Sequence, residues 1–229
     1  MILAAGRGTR MGRLTDARPK PLLPVAGKPI IDHVLAHLLQ AGVERVVVNL
    51  HHKGPQLRAH LAGRDGVEIA FSDEADALLD TGGGIANALS LLGDAPFYAV
   101  NGDVFWLDGE PPALDLLAAR FDPTAMDALL LLQPTAAAVA YGGAGDFAMD
   151  AGGRLQRRGT QATAPYVFTG VQLLAPALFA DAPDGAFSLN VLYDRAIASG
   201  RLHGVRNAGQ WVEINTPQGL QAAQDVLAG

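Results

Sequence analysis

Two glycines and a series of basic residues near the start of the chain could bind an anion. Gly6 and Gly8 follow a short apolar segment, and five basic side chains come soon after, namely Arg7, Arg10, Arg13, Arg18 and Lys20. Glycine lets backbone N–H groups approach an anion closely, and the cations supply the opposite charge. The pattern is neither a dinucleotide fingerprint nor a P-loop, because Gly12 comes too early and no Gly-Lys-Ser/Thr follows. We expect a polyphosphate to bind here.

A carboxylate follows an apolar segment in the middle of the chain. Residues 97–100 are apolar or aromatic, and Asn101, Gly102 and Asp103 come directly after them. Ligands of open α/β sheets lie at the carboxyl ends of the strands. Mg²⁺ prefers oxygen ligands and usually shares them with substrate phosphates. We therefore expect Asp103 to be a magnesium ligand.

Three consecutive glycines, Gly82 to Gly84, come between a predicted strand and a predicted helix. Glycine loses more conformational freedom on folding than other residues, so a run of three is costly. A flat base or ribose held against the backbone would explain the run. A simple loop or the opening of a helix is the alternative.

The order of elements predicts an α/β fold. Apolar patterns indicate strands at 3–5, 43–50, 67–71, 97–101, 128–132, 166–174 and 211–214, and helices at 29–42, 56–61, 84–92, 112–120, 188–199 and 217–227. Such alternation is typical of a mostly parallel, Rossmann-like sheet covered by helices on both faces, in three layers. Residues 141–165 are rich in Gly, Ala and Thr and predict a looped or antiparallel insertion. We expect one domain over residues 1–229.

Composition excludes several classes of protein. The net charge is −6, which disfavours coating a nucleic acid, and Cys is absent, which excludes disulfides, thiolate metal sites and a cysteine nucleophile. No apolar run approaches the roughly 18 residues of a membrane span. We therefore expect a cytoplasmic protein that binds neither nucleic acid nor membrane. The first strand is short, so the natural start is expected a few residues upstream.

A longer pattern resembles the signature of the sugar-1-phosphate nucleotidylyltransferase family. It reads Leu3-x-x-Gly6-x-Gly8-Thr9-Arg10, then Leu14-Thr15, then Pro19-Lys20-Pro21-Leu22-x-Pro24-Val25-x-Gly27-x-Pro29. Arg13 stands where the family usually has proline. The resemblance implies a GT-A-like nucleotidyltransferase fold with a small sugar-binding insertion, to which residues 135–215 contribute the sugar pocket.

The resemblance also implies roles for the residues of the nucleotide loop. A nucleoside triphosphate would lie over this loop, with Arg10 at its β- and γ-phosphates and Lys20 at its α-phosphate. Arginine suits forked phosphate contacts and lysine a point charge. We expect Arg10, Lys20 and Asp103 to be catalytic. The full nucleotide-binding set would be Ala4, Ala5, Gly6, Gly8, Thr9, Arg10, Lys20, Gly82, Gly83 and Asp103.

A second metal ligand and the sugar contacts follow from the same resemblance. The family holds its magnesium with Gly-Asp and with a second carboxylate in a Trp-x-Asp-x-Gly-Thr segment. Here residues 211–216 match, with Glu213 in place of aspartate and Asn215 in place of glycine. We expect Asp103 and Glu213 to hold Mg²⁺; the alternative is Glu213 as a surface strand residue. The expected sugar-binding residues are Asn101, Thr169, Gly170 and Asn190.

The implied reaction joins a nucleoside triphosphate to a sugar-1-phosphate and releases pyrophosphate. The Leu-x-Thr-Gly-Gly-Gly-Ile form of residues 79–85 is most similar to bacterial N-acetylmuramate-1-phosphate uridylyltransferases, so UTP and a role in cell-wall recycling are expected. Alternatives are a mannose-1-phosphate guanylyltransferase, a phosphocholine cytidylyltransferase-like enzyme and a non-catalytic nucleotide-sugar-binding subunit. We expect a monomer or a small homo-oligomer.

Overall fold

A computed structural model describes residues 1–74 and 77–228. The strands are β1 (Ile2–Leu3), β2 (Pro24–Val25), β3 (Lys28–Pro29), β4 (Arg45–Leu50), β5 (Glu68–Asp73), β6 (Phe97–Asn101), β7 (Phe105–Leu107), β8 (Ala128–Pro134), β9 (Phe147–Met149), β10 (Leu155–Arg157), β11 (Tyr166–Leu174), β12 (Leu202–Arg206) and β13 (Gln210–Val212). The α-helices are α1 (Ile30–Gln40), α2 (Gly54–Leu61), α3 (Asp80–Leu92), α4 (Ala113–Arg120), α5 (Asn190–Ala198) and α6 (Pro217–Ala228).

The central sheet combines parallel and antiparallel strand pairs. Strands β5, β4, β1 and β6 are parallel neighbours, and β1 pairs with β4 on one side and β6 on the other. Strand β11 is antiparallel to both β6 and β8. Strand β12 pairs parallel with β8. Strands β9 and β10 form an antiparallel hairpin. The carboxyl ends of β4, β1 and β6 therefore open on one edge of the sheet.

Helices cover both faces of this sheet. Apolar residues of β4 and β6 alternate, so one set faces a core with α1, α2 and α4 and the other faces a core with α3 and α5. In α1, Ile31, Val34, Leu35 and Leu38 recur at helical spacing and are buried. A third apolar cluster joins α6 to the hairpin of β2 and β3. The predicted three-layer α/β fold is confirmed.

Several element boundaries differ from the sequence expectation. Helix α3 begins at Asp80, four residues before the predicted start, because its glycines pack closely against residues 185–187 and this tertiary packing outweighs their low helix propensity. Pro29 belongs to strand β3, and α1 begins one residue later. The short strands β2, β3, β7 and β12 were not predicted. The strand predicted at 211–214 is β13, which pairs with β7 outside the central sheet.

The predicted insertion at 141–165 contains the antiparallel hairpin of β9 and β10. Across residues 1–74 and 77–228, no helix is both long enough and apolar enough to cross a membrane.

Candidate active site

The loop after β1 lines a cavity of about 230 Å³ at the carboxyl edge of the sheet. Ala4, Ala5, Gly6 and Gly8 all line it. Gly8 has a φ of 62°, and a Cβ there would lie 2.9 Å from the Cβ of Lys20. Only glycine fits this position, so the loop backbone lies directly against the stem of Lys20.

Residues beyond Gly8 turn back on the loop as two short 3-10 turns within Thr9–Thr15, separated by a kink at Gly12, where φ is 55°. The backbone N–H of Met11 donates to the carbonyl of Gly8 at 3.0 Å, and the Thr15 hydroxyl donates to the carbonyl of Gly12 at 3.0 Å. Thr9 is exposed and does not line this cavity, whereas the exposed Arg10 lines a second, neighbouring cavity that also contains Asp103. The loop thus presents one cation to the cleft.

Lys20 is buried, with 4% of its side chain exposed, and joins three segments of the chain. Its Nζ donates to Oδ2 of Asp103 at 2.7 Å and to Oδ1 of Asn215 at 2.6 Å. A buried ammonium needs such partners, because desolvation penalises an unpaired charge. Lys20 is therefore held between the two predicted metal-binding segments.

Asp103 reaches this position because β6 ends beside β1. The backbone N–H of Gly102 donates to the carbonyl of Leu3 at 2.8 Å, and a Cβ at Gly102 would lie only 3.1 Å from that oxygen. The glycine allows the chain to cross close to β1 and to place Asp103 beside the loop. The Asp103 side chain is 37% exposed, so its carboxylate can meet a ligand.

Glu213 and Asn215 close the other side of the cleft. The Asn215 amide donates to Oε1 of Glu213 at 2.9 Å, while its oxygen accepts from Lys20. Both residues line a second cavity of about 290 Å³ together with Arg10, Asp103 and Tyr141. Burial raises the pKa of Tyr141 above its ordinary value, so its phenol stays protonated and can donate to a ligand there.

The donor set of this cavity suits a hard divalent cation. Asp103 and Glu213 both line it, and Mg²⁺ commonly takes one or two protein carboxylates and completes its coordination with substrate phosphates and water. Within the described ranges there is no group of three or more His, Asp or Glu side chains that could hold a metal alone. The residues thus fit an ion that arrives with, or is completed by, a phosphate substrate.

Gly82 and Gly83 lie in the first turn of α3 and line none of the cleft cavities described. Their backbone N–H groups donate to the carbonyl of Phe187 at 2.9 and 3.1 Å. A Cβ at Gly83 would lie 2.3 Å from the carbonyl oxygen of Gly185. The structure therefore uses both glycines for close packing, and a contact between them and a nucleotide stays a prediction. Asp80 and Thr81, just before them, line the first cavity.

A buried polar pair beneath the loop was not predicted from the sequence. Asn49, at the end of β4, accepts from the N–H of Ala4 at 2.7 Å and donates to Glu74 at 2.7 Å. Glu74 in turn accepts from the N–H of Leu79 at 2.9 Å. Asn49 also lines the first cavity. The available signal was a single asparagine inside an apolar, β-branched strand.

The predicted sugar residues surround the remaining parts of the cleft. Asn101, Thr169 and Gly170 line the second cavity, while Asn101 and Asn190 line a third one of about 260 Å³. Thr169 is buried, and its hydroxyl donates to the carbonyl of Leu131 at 2.8 Å. Gly170 has a φ of 83° and lies against the Asn101 amide. Asn101 therefore lines all three cavities and lies where they meet.

Comparison with known proteins identifies the class of this fold and cleft. Residues 1–145 match the MobA-like NTP transferase domain. The chain is similar to HddC of Yersinia pseudotuberculosis, solved with GMP-PN, with a TM-score of 0.78, 21% identity and coverage of 99% of this chain and 97% of that one. At this identity the structural match supports the fold alone.

Two curated relatives match over the whole of this chain and nearly all of their own length. The N-acetylmuramate alpha-1-phosphate uridylyltransferase of Caulobacter vibrioides is 42% identical, and the alignment covers 100% of this chain and 96% of that protein. The enzyme of the same name from Neisseria meningitidis serogroup B is 36% identical, with 100% and 97% covered. The chain belongs to the sugar-1-phosphate nucleotidyltransferase family, whose substrates are a nucleoside triphosphate and a sugar-1-phosphate.

Proposed function

We propose that this enzyme transfers the uridylyl group of UTP to N-acetylmuramate α-1-phosphate, and that the product enters cell-wall recycling. The observation that carries the proposal is the junction of Lys20 with Asp103 and Asn215 at the cleft between the first two cavities. Full-length identity of 42% to a relative of that name supports the choice of base and sugar. The absence of cysteine suits the reducing cytoplasm, where we place the reaction.

The proposed reaction is a single in-line displacement at phosphorus. A phosphate oxygen of the sugar-1-phosphate attacks the α-phosphorus of UTP, a new P–O bond forms, and the bond to the β-phosphate oxygen breaks to release pyrophosphate. The nucleophile is already an anion, so no general base is required. Catalysis then rests on positioning and on neutralising charge on the phosphoryl oxygens.

Each cation of the cleft has a proposed part in that neutralisation. Lys20 Nζ would bind an oxygen of the α-phosphate, where charge spreads as the new bond forms, and Arg10 would bind the β- and γ-phosphates. The backbone of Gly6 and Gly8 would donate to the same polyphosphate. Lys20 also holds Asp103 in place before substrate enters.

Asp103 and Glu213 are the proposed holders of Mg²⁺. When bound, the ion would supply Lewis-acid polarisation of the phosphate oxygens and orient the triphosphate. Both carboxylates line one cavity, and each has an oxygen engaged by a neighbouring donor, Lys20 for Asp103 and Asn215 for Glu213. These contacts would fix the directions in which the remaining carboxylate oxygens face the ion.

The substrate pair can be tested by measuring pyrophosphate release with Mg²⁺. UTP, GTP, CTP and dTTP would each be paired with the 1-phosphates of N-acetylmuramate, N-acetylglucosamine, mannose and glucose, and with phosphocholine. We expect the fastest release from UTP with N-acetylmuramate α-1-phosphate. Faster release from another pair would replace the proposed substrates, and nucleotide binding without release from any pair would indicate a binding subunit.

A further inference from the structure

Residues 15–17, at the C-terminal end of the nucleotide loop, are hydrogen-bonded by side chains that lie outside the cleft. Three consecutive backbone carbonyls, those of Thr15, Asp16 and Ala17, accept hydrogen bonds from side chains at the start of α2. Lys53 Nζ donates to the first carbonyl and, at 2.6 Å, to the second. Gln56 Nε2 donates to the third at 3.1 Å. Two side chains thus fix three peptide groups in a row.

Lys53 has an unusual backbone conformation, and its ammonium is occupied by the loop carbonyls. It has a φ of 55°, a left-handed conformation that is uncommon for a residue other than glycine, and it directly precedes α2. Its ammonium is satisfied by carbonyls, and among the described residues it forms no ion pair with a carboxylate. A hydrogen bond from a charged donor is stronger than one between neutral groups.

The held segment is coupled to the cleft through Thr15. The Thr15 hydroxyl donates to the carbonyl of Gly12 at 3.0 Å, and a Cβ at Gly8 would meet the Thr15 methyl at 3.3 Å and the Lys20 Cβ at 2.9 Å. Gly8 is therefore packed between Thr15 and Lys20. A shift of Thr15 would move the backbone donors of the loop and the stem of Lys20, although Lys53 lines neither of the first two cavities.

We propose that Lys53 and Gln56, here called the clasp, are positioning residues that hold residues 8–17 in the conformation that binds the triphosphate. The inference rests on the proposed use of that loop for the nucleotide. Loss of the clasp would leave the reacting groups intact but lower the fraction of molecules with a competent loop, which weakens apparent nucleotide affinity. The acceptor sugar phosphate would bind as before once nucleotide saturates.

The experiment compares Lys53→Met, Lys53→Arg and Gln56→Ala with the wild type. Arg58→Met is the matched control, because Arg58 lies on the same helix and pairs with Asp73, away from the loop. We expect Lys53→Met to raise the KM for UTP by about tenfold or more, because two charged hydrogen bonds are lost, with a much smaller change in kcat. Lys53→Arg should restore most of the affinity, and Arg58→Met should match the wild type.

A second readout does not depend on turnover. Arg10 and Arg13 are exposed within the held loop, so an arginine-specific protease should cut Lys53→Met there faster than wild type. Unchanged cleavage together with unchanged UTP affinity, measured by calorimetry, would overturn the clasp. A raised KM that Lys53→Arg does not rescue at all would also count against it. The proposed function fails separately, if the wild type forms no uridylylated product while the protease difference persists.

Discussion

Lys20 is the residue that connects the three segments of the cleft. It is buried, and its two acceptors lie 83 and 195 positions away along the chain. One acceptor is the carboxylate of Asp103 and the other is the amide oxygen of Asn215. The second contact exists because asparagine stands where the family pattern has glycine, so this chain adds an acceptor that a glycine could not supply.

Replacement of Asn215 by alanine tests that added contact. The variant removes an acceptor from Lys20 and a donor from Glu213, so both groups gain freedom at the place where charge must be neutralised. We expect kcat/KM to fall at least about tenfold, since two hydrogen bonds to charged groups are lost. Steady-state kinetics would measure the change.

The control for this substitution is Asn87→Ala. It removes an amide hydrogen bond to Ser72, and Asn87 lines none of the three cleft cavities. Wild-type kinetics in Asn215→Ala, or an equal loss in Asn87→Ala, would show that the Asn215 bridge has no special part in the reaction.

Residues with a local sequence pattern could be predicted, and residues defined by a distant partner could not. Lys20 and Asp103 stand in recognisable motifs and reach the cleft as expected. Asn49 and Glu74 are separated by 25 positions, and nothing in either local segment indicates that they pair beneath Ala4. Lys53 and Gln56 were missed for the same reason, because their acceptors are backbone carbonyls of a different loop.

At the scale of elements, the start of α3 is defined by close packing. The N–H groups of Gly82 and Gly83 share the carbonyl of Phe187, and this contact fixes the helix against the segment before α5. The glycine run was expected to make room for a ligand. At Gly82 and Gly83 it makes room for Phe187 and the Gly185 backbone, which no local pattern could distinguish from a ligand contact, and contact with a nucleotide stays a prediction.

Substitution of Gly83 by alanine should destabilise the protein, although alanine favours helix. The added Cβ would lie 2.3 Å from the carbonyl oxygen of Gly185, so the backbone has to move. We expect the free energy of unfolding to fall by about 1–3 kcal/mol, the usual cost of overpacking. Ser90→Ala, at an exposed position of the same helix, should be neutral or slightly stabilising. Urea unfolding of the two variants checks both, and equal stability would contradict the packing account.

Asp108 directly follows β7, and its carboxylate makes hydrogen bonds to residues of β7, α1 and α4. Burial acts to raise its pKa, but hydrogen bonds with His37, the Ala113 N–H and the Trp106 indole outweigh this and hold the pKa below its ordinary value. A depressed carboxyl pKa contributes stability above the ordinary value, and this stability is lost as the pH falls through the lowered one. The carboxylate therefore supports the fold at neutral pH and ceases to do so in acid.

Asp108→Asn measures this contribution. We expect the variant to be less stable than wild type at pH 7 by about 1–3 kcal/mol, because a half-buried charged acceptor is lost. The difference should shrink as the pH falls below the ordinary pKa of aspartate and through the lowered pKa of Asp108, where the wild-type carboxyl becomes protonated. Thermal unfolding from pH 3 to 7 would show it, and a difference that is constant over the whole range would refute the assignment.

At the scale of the whole molecule, the cleft lies where two kinds of strand pairing meet. Strands β5, β4, β1 and β6 are parallel and carry the nucleotide loop and Asp103, whereas β11 is antiparallel and carries Thr169 and Gly170. The alternation of elements predicted the parallel part. The antiparallel position of β11 and the pairing of β13 with β7 depend on contacts distant in sequence, so periodicity could not indicate them.

Asp103→Asn tests most directly whether this cleft performs uridylyl transfer. Asparagine preserves the shape and can still accept from Lys20, so the fold should survive, as the melting temperature would verify. The measurement is formation of UDP-N-acetylmuramate and pyrophosphate from UTP and N-acetylmuramate α-1-phosphate, in wild type and variant. We expect rapid formation by the wild type and a loss on the order of 10²–10³-fold or more in the folded variant. Wild-type rates in Asp103→Asn, or no product from the wild type, would contradict that expectation.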